Sequence, residues 1–249
     1  MLVVFFLALP SSSFLTSAEH PPEDQNFVEP HTASDFPVGW SDQVFGTFPS
    51  VEYRLLYPAM NSGEDKDMAG NGPFPHIQFF IDSGEDSTSY MDLVSRFVQR
   101  GYVVAVHDEI FDSTDFDQIL SATVAVHKSL QQLNNSSSSS ISGTFGQFDL
   151  NHWGLGGHGI GAAAAYGAHP YWMNSTFDES VQPPRALFGV GADFDEWGDD
   201  HWGEHAPSGW IHSPASPSAG LFLTGSADNI APSSEVQDTL SNGDGLAWQ

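Results

Sequence analysis

The stretch Trp153-Gly-Leu-Gly-Gly-His-Gly-Ile-Gly-Ala-Ala-Ala-Ala165 decides the fold. Trp153 to Gly157 is short, apolar and small, which suits a buried strand. Ala162 to Ala165 suits a helix packed tightly against its neighbours. Between them Gly157, Gly159 and Gly161 recur at every second position. Glycine is the residue of sharp turns and of close backbone approach. A strand, a tight corner and a helix are therefore expected here in that order.

Outward from this corner, strands and helices alternate. His76 to Asp82 reads as a strand, and Ser83-Gly84-Glu85-Asp86-Ser87 as a loop. Tyr90 to Arg100 carries Leu93, Val94, Phe97 and Val98 at helical spacing, with Gly101 placed to cap the end. Tyr102 to Val106 is a nearly continuous apolar run, the mark of a strand buried on both faces. Ser121 to Leu133 is a second helix. Ser136 to Ser140 is a serine run and reads as a surface loop. Ala186 to Val190 and Gly220 to Thr224 are further strands. Such alternation implies β-α-β units and a mostly parallel sheet with helices on both faces. Residues 47–58 are expected to form an additional strand ending at Pro58, and no internal repeat is present.

The 249 residues suffice for one sizeable α/β domain. Six Lys and Arg stand against 32 Asp and Glu, a formal charge of −26. A surface so acidic repels phosphate backbones, so nucleic acid is not an expected partner. Salt should favour its compact state by screening self-repulsion. There is no cysteine, which excludes disulfides, thiolate metal sites and a cysteine nucleophile. Met1 to Leu9 is an apolar run followed by Pro10, serines and Thr16-Ser17-Ala18. It reads as a secretory leader over 1–18, and its n-region has no Lys or Arg. The run is too short to span a bilayer. Residues 19–45 read as an extended acidic and Pro-rich lead-in, with the domain proper over 46–249. Asn134, Asn135 and Asn174 lie in glycosylation sequons.

Gly157-His158-Gly159-Ile160-Gly161 has the frame of Gly-x-Ser-x-Gly, the nucleophile elbow of serine hydrolases. Two further stretches accompany it. One runs from Pro73-Phe-Pro75 through the strand, loop and helix to Gly101-Tyr-Val-Val-Ala-Val-His-Asp108. The other is Leu221-Phe-Leu-Thr-Gly-Ser-Ala-Asp-Asn-Ile-Ala-Pro232. In this order and spacing, over roughly residues 45–240, the chain resembles the PET hydrolase, cutinase and chlorophyllase-like esterases of the α/β-hydrolase fold. The resemblance implies an α/β-hydrolase domain without metal or other cofactor. It implies that Asp228 is at the triad-acid position and Gly159 at the nucleophile position. It implies oxyanion donors at Ile160 and Glu85, where these enzymes often carry an aromatic residue. His158 falls on the position before the nucleophile.

Two pieces of the expected machinery are missing from the sequence. Gly159 has no side-chain oxygen, so no acyl-enzyme can form there. No histidine lies between Asp228 and Gln249, although the triad histidine should follow the acid. The final strand and helix of the fold are expected to be missing as well. A carboxylate at Glu85 would also oppose charge developing on an oxyanion. Two readings follow. One is an inactive family member that keeps a vestigial cleft for a small ester or apolar ligand. The other is an active esterase with a displaced nucleophile or a sequence error at the elbow. Residues 193–205 crowd Asp, Glu, His and Trp together. Their spacing matches neither an EF-hand nor His-Glu-x-x-His, and they read as an acidic loop without a metal site.

Overall fold

The computed structural model describes residues 3–8, 36–46, 50–108, 116–173, 181–192 and 219–225. Among the described residues nine strands form one mixed sheet: β1 (Val3–Ala8), β2 (Val38–Phe45), β3 (Val51–Pro58), β4 (Gly63–Glu64), β5 (Phe74–Phe80), β6 (Val103–His107), β7 (Phe148–His158), β8 (Ala186–Val190) and β9 (Ala219–Gly225). Their spatial order is β1-β9-β8-β7-β5-β6-β3-β2-β4. β6, β5, β7, β8 and β9 run parallel to one another. β2 and β3 form an antiparallel hairpin on one side, and β1 pairs antiparallel with β9 on the other.

Among the described residues three α-helices connect parallel strands: α1 (Met91–Gln99), α2 (Phe116–Asn135) and α3 (Ile160–Met173). Alternate residues of the central strands feed two separate cores. Ile77, Phe79 and Ile81 pack with Val104, Val106 and the α1 residues Val94 and Val98 on one face. Val103 and Ala105 pack with Ala122, Val126 and Leu130 of α2 on the other face. Phe80 and Leu155 on that face meet Ala164 and Ala165 of α3. The strand-to-strand handedness rule explains this division. The chain steps from β5 to β6 in one direction and from β7 to β8 in the other. Right-handed crossovers then put α1 and α3 on opposite faces. The sheet therefore has a switch point between β5 and β7, the place where open α/β sheets form a crevice beyond the carboxyl ends of their strands.

Most expected elements are present at nearly their expected bounds, and Gly101 does follow α1, with its N–H bonded to Val98 O at 2.9 Å. The sheet reaches back into the stretch 19–45 that the sequence reads as a lead-in. Residues 38–45 form β2 and pair with β3 from Val38↔Pro58 to Phe45↔Val51. Periodicity missed this strand because only part of one face is buried: Gly39 and Ser41 are covered while Asp42 and Val44 are exposed. The strand expected over 47–58 begins at Val51. Residues 3–8, within the expected leader, form the edge strand β1.

The core also holds polar groups. His107 Nε2 lies 3.0 Å from Gln78 Oε1, and Gln78 Nε2 donates to Thr123 O at 3.0 Å. His76 stacks on Trp153 with ring centroids 5.4 Å apart and meets the His127 ring at 5.2 Å. Burial, with the neighbouring His127 adding to it, holds His76 at about 3. Burial alone does the same for His107, also at about 3. Both imidazoles are therefore neutral in the folded protein at ordinary pH.

Candidate functional site

The corner between β7 and α3 is built by its glycines. A Cβ added at Gly157 would lie 2.4 Å from Gly161 C and 2.7 Å from Ala162 N. One added at Gly161 would lie 2.3 Å from Ile81 O and 2.4 Å from Phe80 O. The first helical turn of α3 thus lies directly on β5, with no room for any side chain at either position. Gly159 is the corner residue itself, at φ +54° in the left-handed region. Its N–H donates to Val190 O at 3.1 Å, tying the corner to β8.

Above Gly159 sits the carboxylate of Asp82, the second residue past the end of β5. A Cβ at Gly159 would lie 2.1 Å from Asp82 Oδ1 and 2.4 Å from Oδ2. Oδ1 accepts the Ile160 N–H at 3.0 Å and the Ser83 N–H at 2.9 Å. One donor comes from the residue after the corner, and the other from the loop after β5. Those are the two places from which an α/β hydrolase draws its oxyanion hole. Both distances fall in the range required of donors to an oxyanion.

Two ring side chains complete the cluster. Tyr90 closes a 3₁₀ turn over Ser87–Tyr90, which Asp86 caps by accepting from the Thr88 and Ser89 N–H groups. The buried Tyr90 accepts the Asp82 N–H at 3.0 Å, and its Oη lies 3.0 Å from His158 Nδ1. If the phenol proton goes to Nδ1, a neutral His158 is the Nε2–H tautomer; if Nδ1 carries the proton, it donates to the second lone pair of Tyr90 Oη. His158 Nδ1 stands 3.7 Å from Asp82 Oδ2, with the two side chains 40% and 31% exposed. At that distance there is no direct hydrogen bond. Burial first, and then the Asp82 and Glu85 charges, push the Tyr90 phenol above its ordinary value, against the opposing hydrogen bond from Asp82 N–H.

The residues singled out from sequence fare differently. Gly157, His158, Gly159, Ile160 and Gly161 come together at the corner. Glu85 does not serve as a donor into the crevice here. Its N–H donates to Asp82 O at 3.3 Å, closing a turn, and its side chain is exposed. The loop amide that converges with Ile160 is that of Ser83. Asp228 and residues 193–205 lie outside the described residues. Among the described residues no group of three or more His, Asp or Glu is placed to hold a metal ion. Nor is any described helix long and apolar enough to cross a membrane. Asp82 and Tyr90 carried no signal as isolated residues. Only the end of a central strand, where the switch point falls, marks Asp82 in the sequence.

The mixed sheet, its switch point and the strand–corner–helix at Gly157–Gly161 define an α/β-hydrolase-fold protein. No protein-family profile and no curated protein sequence matches the chain. Among solved structures it is similar to a bacterial heroin esterase, at 16% identity and a TM-score of 0.47. The match covers 64% of this chain and 45% of that one, so the chain spans less than half of the esterase's length. So loose a likeness carries no argument about activity, and the strand order and the corner carry the class.

Proposed function

We propose that this chain is a member of the carboxylic-ester hydrolase group that does not cleave esters by the serine route. In its motifs it resembles the PET hydrolase, cutinase and chlorophyllase-like enzymes. What it keeps is a crevice at the switch point, suited to a small ester or apolar molecule. One observation carries this: the corner residue is a glycine, and the space a nucleophile would fill holds a carboxylate. Without a nucleophile no acyl-enzyme forms. Residual acceleration from backbone donors reaches roughly 10³–10⁴-fold over water in a protease stripped of its triad, and here those donors are already engaged. Purified protein should hydrolyse p-nitrophenyl butyrate no faster than buffer. Turnover that a serine-directed phosphonate stops would overturn the proposal.

A second reading is favoured by one contact. The Tyr90 hydroxyl within 3.0 Å of an imidazole is a hydroxyl–base pair, the minimum for a displaced nucleophile. Against it stand the burial of that phenol and its raised pKa, which keep it protonated and recessed. If ester turnover is found, Tyr90→Phe decides between the two. Under this second reading it abolishes turnover while the melting curve stays cooperative. Turnover surviving the change removes Tyr90 as nucleophile.

A secreted setting belongs to the same proposal and is supported by the apolar leader over 1–18. Protein recovered from the medium should begin after Ala18. Recovery of chains starting at Met1 would withdraw secretion by cleavage and would leave β1 paired with β9.

A further inference from the structure

We infer that Asp82 is a built-in stopper of the elbow: its carboxylate occupies the oxyanion position and must give up its two amide bonds before any side chain can stand at position 159. The inference rests on the inactive reading above and adds a cause to it. Loss of the serine oxygen explains why no acyl-enzyme forms. It does not explain why the crevice should be closed to the carbonyl of a bound ester. Asp82 does that, because Oδ1 already accepts both amides that would polarise such a carbonyl. Like charge repels like, so a carboxylate fixed there also opposes any second oxyanion.

Steric facts give the second half. A Cβ at position 159 would fall 2.1–2.4 Å from the three carboxylate atoms of Asp82, far inside van der Waals contact. Asp82 cannot retreat freely. It is tethered by the Ile160 and Ser83 amides at Oδ1, and its own N–H is bonded to Tyr90 Oη. The identities at 82 and 159 are therefore coupled. A side chain at 159 requires the carboxylate at 82 to give up its two amide bonds and swing out of the corner. Gly159→Ser alone is thus not a route back to a hydrolase. Its Cβ would arrive where the Asp82 carboxylate stands.

The test is a stability cycle on the full chain: natural protein, Gly159→Ala, Asp82→Ala and the double variant, each unfolded in urea at pH 7. The folding equilibrium constant lost to Gly159→Ala should be at least tenfold smaller in the Asp82→Ala background. Losses that agree within twofold in the two backgrounds overturn the inference. If neither alanine-159 variant folds, Asp82→Ala alone decides. In that variant sodium formate should shift the Ile160 and Ser83 amide resonances saturably, and in the natural protein it should not. No shift in the variant, or an equal shift in both, overturns the stopper. Ester turnover by the natural protein would sink the inactive reading but would leave the cycle's outcome intact. Additive losses would sink the stopper and leave that reading standing.

Discussion

Gly161→Ala is expected to leave little folded protein. The added methyl would meet Ile81 O at 2.3 Å, Phe80 O at 2.4 Å and Phe80 C at 2.6 Å. Two of these atoms belong to Phe80, the last residue of β5, and the third to Ile81 just beyond it, and that strand is hydrogen-bonded to β6 on one side and β7 on the other. A flexible side chain could swing aside, but a central strand cannot without opening two ladders. Ordinary overpacking costs about 1–3 kcal/mol. A backbone clash held in place from both sides belongs at or above the upper end, about 4 kcal/mol. That is most of the stability of a marginal domain. Gly70→Ala is the control, since a methyl there meets nothing within 4 Å. Its urea midpoint should stay near that of the natural protein. Equal midpoints for the two variants would show that α3 does not lie on β5 as described.

The second large effect is loss of stability on mild acidification. His76 and His107 titrate at about 3 when folded, and near 6.5 when unfolded. Their folded pKa values are depressed, so below 6.5 the unfolded chain binds protons that the folded one refuses. Stability therefore rises with pH between about 3 and 6.5 and falls as pH drops through that window. Each fully refused proton contributes about 1.4 kcal/mol per pH unit. From pH 7 to pH 5 the two histidines together should cost about 4 kcal/mol. Relief of acidic self-repulsion acts the other way. It needs carboxylates to protonate, which is half complete only near their ordinary value of about 4. Between pH 7 and pH 5 the histidines are therefore the main groups to titrate. Urea midpoints read at half-unit steps should fall steadily across it. His76→Phe keeps the stack on Trp153 and removes the titrating ring, so it should flatten the fall by about half. His127, which faces His76, and Asp149, whose carbonyl oxygen lies 3.4 Å from His76 Nδ1, remain in that variant. An unchanged slope would mean that the buried ring is not kept neutral.

Much of the fold was legible from local pattern. The apolar runs at Val103–Val106 and Trp153–Gly157 are strands because strands buried on both faces have no polar side to show. α1 announced itself through Val94 and Val98 at helical spacing. β2 did not, because its covered Gly39 and Ser41 are small or polar while its exposed positions include Val44, and it is held by pairing with β3. Glu85 was misplaced for a related reason. Which loop amide points into the crevice depends on the turn after β5, and that turn spends the Glu85 N–H on Asp82 O.

The order of residues by itself determined the corner, its three glycines and the missing hydroxyl, because those follow from which atoms a residue possesses. It could not determine what fills the emptied corner. Asp82 lies 78 residues from Ile160, and Tyr90 lies 68 from His158. They meet only because β5 and β7 are neighbours whose helices leave on opposite faces. A contact across that distance in the chain is created by the sheet order, and no local pattern encodes it.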